Sequence, residues 1–131
     1  MPQESRRQIS YSTLPSVLTD QNTMIGENWK LHHVGIPVRN LDQSLDDYQS
    51  FGELAWFGKE FFIDSSQAAQ YLVYGKQPDP VVQTRGVMGR VGPIGVELPQ
   101  PVQGNTVHKE LLDSVGEGVG HIAYAVPDLE A

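Results

Sequence analysis

Apolar and polar positions alternate from Leu31 to Val38, with Val34, Ile36 and Val38 in one phase and Leu31, His33, Gly35 and Pro37 in the other. A period of two predicts a strand, here with one apolar face and one face that carries His33 among small neighbours. The period then changes. Leu41, Leu45, Tyr48 and Phe51 fall on one stripe of a helix, Asn40 stands at the N-cap with Gln43 three residues on, and Gly52 closes the element. Ala55 to Ile63, with Trp56, Phe57, Phe61 and Phe62, predicts an aromatic strand. Tyr71 to Tyr74 reads as a further extended piece, and Pro78-Asp79-Pro80 as a turn.

Between Val81 and Leu98 two strands are expected, joined around Gly89 to Gly92. The second, Ile94 to Leu98, puts Ile94, Val96 and Leu98 on one face and Gly95 and Glu97 on the other, and Pro99 and Pro101 are expected to end it. Thr106 to Val115 carries Val107, Leu111, Leu112 and Val115 at helical spacing and is stopped by Gly116 and Gly118. A last strand, His121 to Val126, sets Ile122, Tyr124 and Val126 against His121, Ala123 and Ala125.

Two stretches read alike. His33-Val34-Gly35-Ile36-Pro37-Val38-Arg39-Asn40-Leu41-Asp42 and His121-Ile122-Ala123-Tyr124-Ala125-Val126-Pro127-Asp128-Leu129-Glu130 begin 88 residues apart, a spacing that suits a duplicated half-domain better than a solenoid. The chain therefore divides into a polar arm over 1–29, a first module with its linking helix over 30–117, and the start of a second module over 118–131. The second module is expected to be cut short, since Pro127 to Ala131 reads as a helix broken off as it begins.

Charge and composition remove several function classes. With 131 residues the chain holds one core, and a net charge of −7 with a pI near 4.9 argues against nucleic acid, whose phosphates are met by surplus Lys and Arg. No apolar run is long enough to span a membrane. The absence of cysteine excludes disulfides and thiolate ligands and fits a reducing compartment, so the expected location is the cytoplasm.

Three strands share one arrangement: an apolar face, and on the other face one side chain able to bind a metal beside a residue with little or no side chain. His33 lies beside Gly35, Glu97 beside Gly95 and His121 beside Ala123. Small neighbours leave room over the sheet, whereas a plain core would fill it. Two imidazoles and a carboxylate suit Co, Zn, Mn, Ni or Fe. Taken singly each has a bland reading, the histidines as packed strand residues and Glu97 as an exposed acid; it is the pairing of His33 with His121 across the repeat that favours a site. His32 falls in the phase assigned to the helix side, His108 reads as a surface residue of the linking helix, and Asp46-Asp47 as a solvated helix face.

Leu31-His32-His33-Val34-Gly35-Ile36, Gly92-Pro93-Ile94-Gly95-Val96-Glu97-Leu98-Pro99-Gln100-Pro101 and Gly116-Glu117-Gly118-Val119-Gly120-His121-Ile122-Ala123-Tyr124 together resemble the vicinal oxygen chelate superfamily of glyoxalases, bleomycin resistance proteins and extradiol dioxygenases. Within it the chain looks most like the methylmalonyl-CoA epimerases. The resemblance implies an α+β fold, a βαβββ module followed by the first strand of an incomplete second one, curved around a divalent metal. It makes His33, Glu97 and His121 ligands, with Glu97 where the epimerases often have Gln, and puts a fourth ligand, a Glu, past Ala131.

It further implies a metal-dependent isomerase or lyase that stabilises the enolate of a small oxygen-chelating substrate, an acyl-CoA in the epimerases, and a homodimer. The epimerases' third-strand base aligns with Gly86, which leaves Glu60 on the aromatic strand as the candidate catalytic residue. Two alternatives stand beside this one. A two-His, one-carboxylate set also suits an Fe(II) extradiol-type dioxygenase, and a resistance-type module would bind a small molecule without turnover.

Overall fold

A computed structural model of the chain describes residues 27–129. The polar arm expected over 1–29 falls almost wholly outside them, as do Glu130 and Ala131. Leu31–Ala125 forms one compact unit; of a second unit, residues 27–30 and 126–129 are described and hold Lys30 and short turns. The elements are β1 (Lys30–Gly35), α1 (Leu41–Tyr48), a 3-10 segment (Gln49–Leu54), β2 (Ala55–Phe57), β3 (Phe61–Asp64), β4 (Gln83–Val91), β5 (Ile94–Gln103), α2 (Val107–Ser114) and β6 (His121–Ala125). The fold is α+β. One sheet runs β2-β4-β5-β1-β6, with β3 beside β4 as well.

The apolar stripe of α1 covers one face of that sheet. Val38, Leu41, Val87, Val96 and Leu98 are its buried centre, and Val34, Ile36, Leu45, Tyr48, Phe57 and Val91 pack around them. Asn40 caps the helix, its Oδ1 accepting the Gln43 N–H at 3.0 Å. The reciprocal half of a capping box is not made, because the Gln43 side chain turns to Asp47. Leu41 donates its own N–H to Gln100 Oε1 at 2.8 Å, which satisfies another N-terminal donor and ties the helix to β5.

Three expectations change. The aromatic strand is two, since the chain pairs with β4 through Phe57, leaves at Gly58, Lys59 and Glu60, and pairs with β4 again from Phe61. Tyr71 to Tyr74 is no strand; Val73 bridges Lys76 around a turn in which Tyr74 and Gly75 have positive φ. Finally, β5 does not stop at Pro99 and Pro101.

The reason is the direction in which these prolines lack a donor. A strand residue's N–H and C=O point the same way, and the Pro99 carbonyl accepts Val38 N–H at 2.9 Å, so the missing donors face β1. The prolines take no donor from the antiparallel ladder to β4, which runs from Val91↔Ile94 to Gln83↔Gln103 with one register shift between Gln83 and Thr84. At its closed end Gly92 takes φ 57° in a two-residue turn.

α2 begins at Thr106, a buried residue whose hydroxyl accepts the Lys109 N–H. It ends at Gly116, with φ 87° and its N–H donated to the carbonyls of Leu111 and Leu112. Among the described residues no helix is long and apolar enough to cross a membrane.

Candidate metal centre

β1 lies parallel to β5 with Val34 opposite Val96 and Gly35 opposite Glu97. Since Val34 and Val96 face the core, alternation sends His33 and Glu97 to the other side of the sheet. β6 then brings the third residue. Gly120 donates its N–H to the Gly35 carbonyl at 2.7 Å, and the His121 ring lies over Gly35 so closely that a Cβ there would sit 1.9 Å from its Cε1. Gly35 is small because the imidazole occupies the space.

The ligand-competent atoms converge. His33 Nε2 is 3.1 Å from His121 Nε2, and the two oxygens of Glu97 face one ring each, Oε2 at 3.9 Å from His33 Nε2 and Oε1 at 3.7 Å from His121 Nε2. Atoms that each bind a zinc-sized ion at about 2.0 to 2.1 Å in a tetrahedron lie roughly 3.3 Å apart, so the donor set fits such a cation with shifts of tenths of an ångström. His33 and Glu97 are the more enclosed, with side chains 14% and 20% exposed, while His121 is 35% exposed. One side of the cluster is thus open to solvent.

Burial holds the His33 pKa below its ordinary value; Glu97 opposes this, and His121 and His32 add to it. A neutral imidazole is the form that binds a metal. His32 Nδ1 lies 2.8 Å from His33 Nδ1. A proton on His33 Nδ1 donated to His32 leaves the lone pair on Nε2, facing the centre; this tautomer is assigned from the bonding. His32, placed by its phase on the helix side, is instead exposed, with its ring edge-on to His33 at 5.1 Å.

His108 was missed as a neighbour of the site. Its ring is 6.0 Å from that of His121, it is half-buried, and burial lowers its pKa, with Glu97 raising it and His121 lowering it. The signal was its spacing: His108 is three and four residues before Leu111 and Leu112, on the inward stripe of α2.

Glu60 is not brought to the cluster. Its carboxylate accepts from Arg85 at 2.7 and 2.9 Å, and Arg85 also reaches Asp42 of α1, on the helix-covered side of the sheet. Gly86 lies on the open side, but the Phe61 ring fills its space; a Cβ there would be 2.5 Å from Phe61 Cζ and 3.0 Å from the Leu98 carbonyl oxygen.

Comparison with known proteins identifies the family and the fold. Residues 32–131 match the family model described as Glyoxalase/Bleomycin resistance protein/Dioxygenase superfamily. Among solved structures the chain is similar to methylmalonyl-CoA epimerase from Mycobacterium tuberculosis, with 25% identity and a TM-score of 0.54 over 76% of this chain and 57% of that one. A hypothetical protein from Bacillus halodurans aligns with 21% identity and a TM-score of 0.58, over 79% and 63% of the two chains. A methylmalonyl-CoA epimerase in complex with methylmalonyl-CoA and ammonium aligns with 20% identity and a TM-score of 0.55, over 77% and 62%. The chain thus spans less than two thirds of the length of these structures. No curated protein matches it significantly.

Proposed function

This chain belongs to the glyoxalase/bleomycin resistance protein/dioxygenase superfamily, and from that premise we propose that it serves a divalent-metal-dependent isomerase or lyase of the methylmalonyl-CoA epimerase kind. The observation that carries the reading is the convergence of His33, Glu97 and His121 on one point. When bound there, a divalent cation supplies Lewis-acid stabilisation of the charge that grows on a substrate oxygen as a neighbouring carbon loses its proton.

The chain's own residues prepare for this. His33 is kept neutral by burial and oriented through His32, and Glu97 adds the negative charge that a cation between two imidazoles needs. The exposed side of His121 leaves space for the substrate's oxygens. An acyl-CoA is the substrate class we favour, supported by the similar epimerase structure that holds methylmalonyl-CoA. We take β6 as the opening strand of a second module. Ile122, 55% exposed, supports this as an apolar residue that a further layer would cover.

The same three side chains form a two-His, one-carboxylate set, the observation that favours an Fe(II) oxygenase as the second reading. Metal analysis separates the two. Stoichiometric Co, Zn, Mn or Ni, with exchange of the substrate α-proton in deuterated water, supports the isomerase, and iron with oxygen uptake supports the oxygenase. His121→Ala is expected to abolish metal uptake while the circular dichroism of the fold is kept. Unchanged metal content in that variant would overturn the ligand assignment.

A further inference from the structure

We propose that Arg90 and Trp56 form a subsite for a carboxylate of the substrate, beside the metal ligands and distinct from them. The proposal rests on the metal-site reading above and adds a class to it: an oxygen-chelating acid whose carboxylate is separate from the oxygens offered to the cation.

The sheet register carries the argument. Arg90 pairs with Gly95 and with Trp56, and the Val34↔Val96 pair puts His33 level with Gly95. Residues directly opposite each other project to the same face, so His33, Gly95, Arg90 and Trp56 form one row across β1, β5, β4 and β2, on the side that carries Glu97. His33 and Arg90 are two strand spacings apart, roughly 10 Å between α-carbons. The residue between them has no side chain. β1 enforces this, since a Cβ on Gly95 would lie 2.2 Å from the His32 carbonyl oxygen, and the effect is that no side chain of β5 stands between the imidazole and the guanidinium.

Arg90 differs from its counterparts. Arg85 is held by Glu60 and Asp42, and Arg39 donates to the Leu112 carbonyl, whereas Arg90 is exposed and its side chain makes no ion pair or hydrogen bond among the described residues. Next to it Trp56 is 62% exposed, its indole folded back over Gly58, where a Cβ would be 3.3 Å from Cη2. With Gly89 the two line a shallow hollow. A free guanidinium is a planar, bidentate partner for a carboxylate, and the indole offers a flat wall to the carbon skeleton that joins that carboxylate to the chelating oxygens.

Two hydroxamates test this on cobalt(II)-loaded protein, with binding read from the cobalt absorption spectrum. Acetohydroxamate chelates through two oxygens and carries no other charge; succinohydroxamate adds a carboxylate two methylenes away. Succinohydroxamate is expected to bind about tenfold or more tightly than acetohydroxamate, and Arg90→Gln is expected to erase that preference while acetohydroxamate affinity stays the same. No preference in the original protein, or a preference that survives Arg90→Gln, would overturn the subsite. If neither hydroxamate perturbs the cobalt spectrum, the metal-site reading falls, and the subsite with it.

Discussion

Gly35→Ala separates the fold from the site. Gly35 sits in β1 with extended backbone, so alanine meets no strain there, and reduced freedom of the unfolded chain favours it by roughly 0.4 to 1 kcal/mol. The nearest obstacle is the His121 ring, with Cε1, Nδ1 and Nε2 at 1.9, 2.3 and 2.4 Å from the added Cβ. That ring is 35% exposed and can swing towards solvent, at a cost of about 0.5 to 1.5 kcal/mol if it leaves its preferred rotamer. The two effects offset each other, and stability should change by no more than about 1 kcal/mol. Metal binding has no such compensation, because the swing removes Nε2 from its place 3.1 Å from His33 Nε2. Loss of a partner behind a ligand typically costs 10- to 100-fold, so displacement of a ligand itself should cost about a hundredfold or more, near 2.7 kcal/mol. Cobalt titration followed by zinc competition measures the affinity, and thermal unfolding of the metal-free protein controls for the fold. If the mechanism is displacement of His121, Gly35→Ala should add nothing to His121→Ala in the double variant. Unchanged affinity in Gly35→Ala, or a full additive loss in the double variant, would refute the reasoning.

Glu60→Gln tests the other carboxylate. Arg85 keeps Asp42 in that variant and the pair is solvent-exposed, so urea unfolding should show a loss of less than about 1 kcal/mol, with metal uptake unaffected; a drop in metal affinity would contradict the placement of Glu60 away from the cluster. Acidification should destabilise the metal-free protein. His33 and His108 are both held below the ordinary imidazole value of about 6.5, so the unfolded chain takes up protons first and stability falls as pH drops through that value towards the lower folded pKa values. Melting temperatures recorded from about pH 7.5 to 5.5 should decline, less steeply in His108→Gln, and a rise over that range would reverse the assignment.

The meeting of His33, Glu97 and His121 was legible because it depends on alternation. Once β1, β5 and β6 are strands, period two decides which face His33, Glu97 and His121 share; Gly35 and Gly95 looked like room on that face, but the His121 ring and the His32 carbonyl take the space of their missing side chains. The misreadings concern information that alternation does not hold. Which edge of β5 its prolines leave without donors depends on which neighbour sits there, so Pro99 and Pro101 looked like an end. Glu60 was placed by its strand, but its carboxylate follows Arg85, 25 residues away. His108 lay within reach of sequence reasoning, since its helical spacing to Leu111 and Leu112 points inward. What it meets there, the ring of His121, is a tertiary contact that no local pattern encodes.

The prolines of β5 have one more consequence. Past the end of β1 the chain from Ile36 to Val38 is joined to β5 by bonds in a single direction, Ile36 N–H to Glu97 O and Val38 N–H to Pro99 O, because Pro99 and Pro101 donate nothing in return. The hairpin of β4 and β5 is paired without a break from Val91↔Ile94 to Thr84↔Pro101, so the seam beside it is where the sheet opens first, and amide exchange should be faster along β1 than along β4. His33 stands on one side of that seam and Glu97 on the other. A cation gripped by both would act as a rivet across it, tying ion uptake to thermal resistance at about 2.7 kcal/mol for a hundredfold excess over Kd.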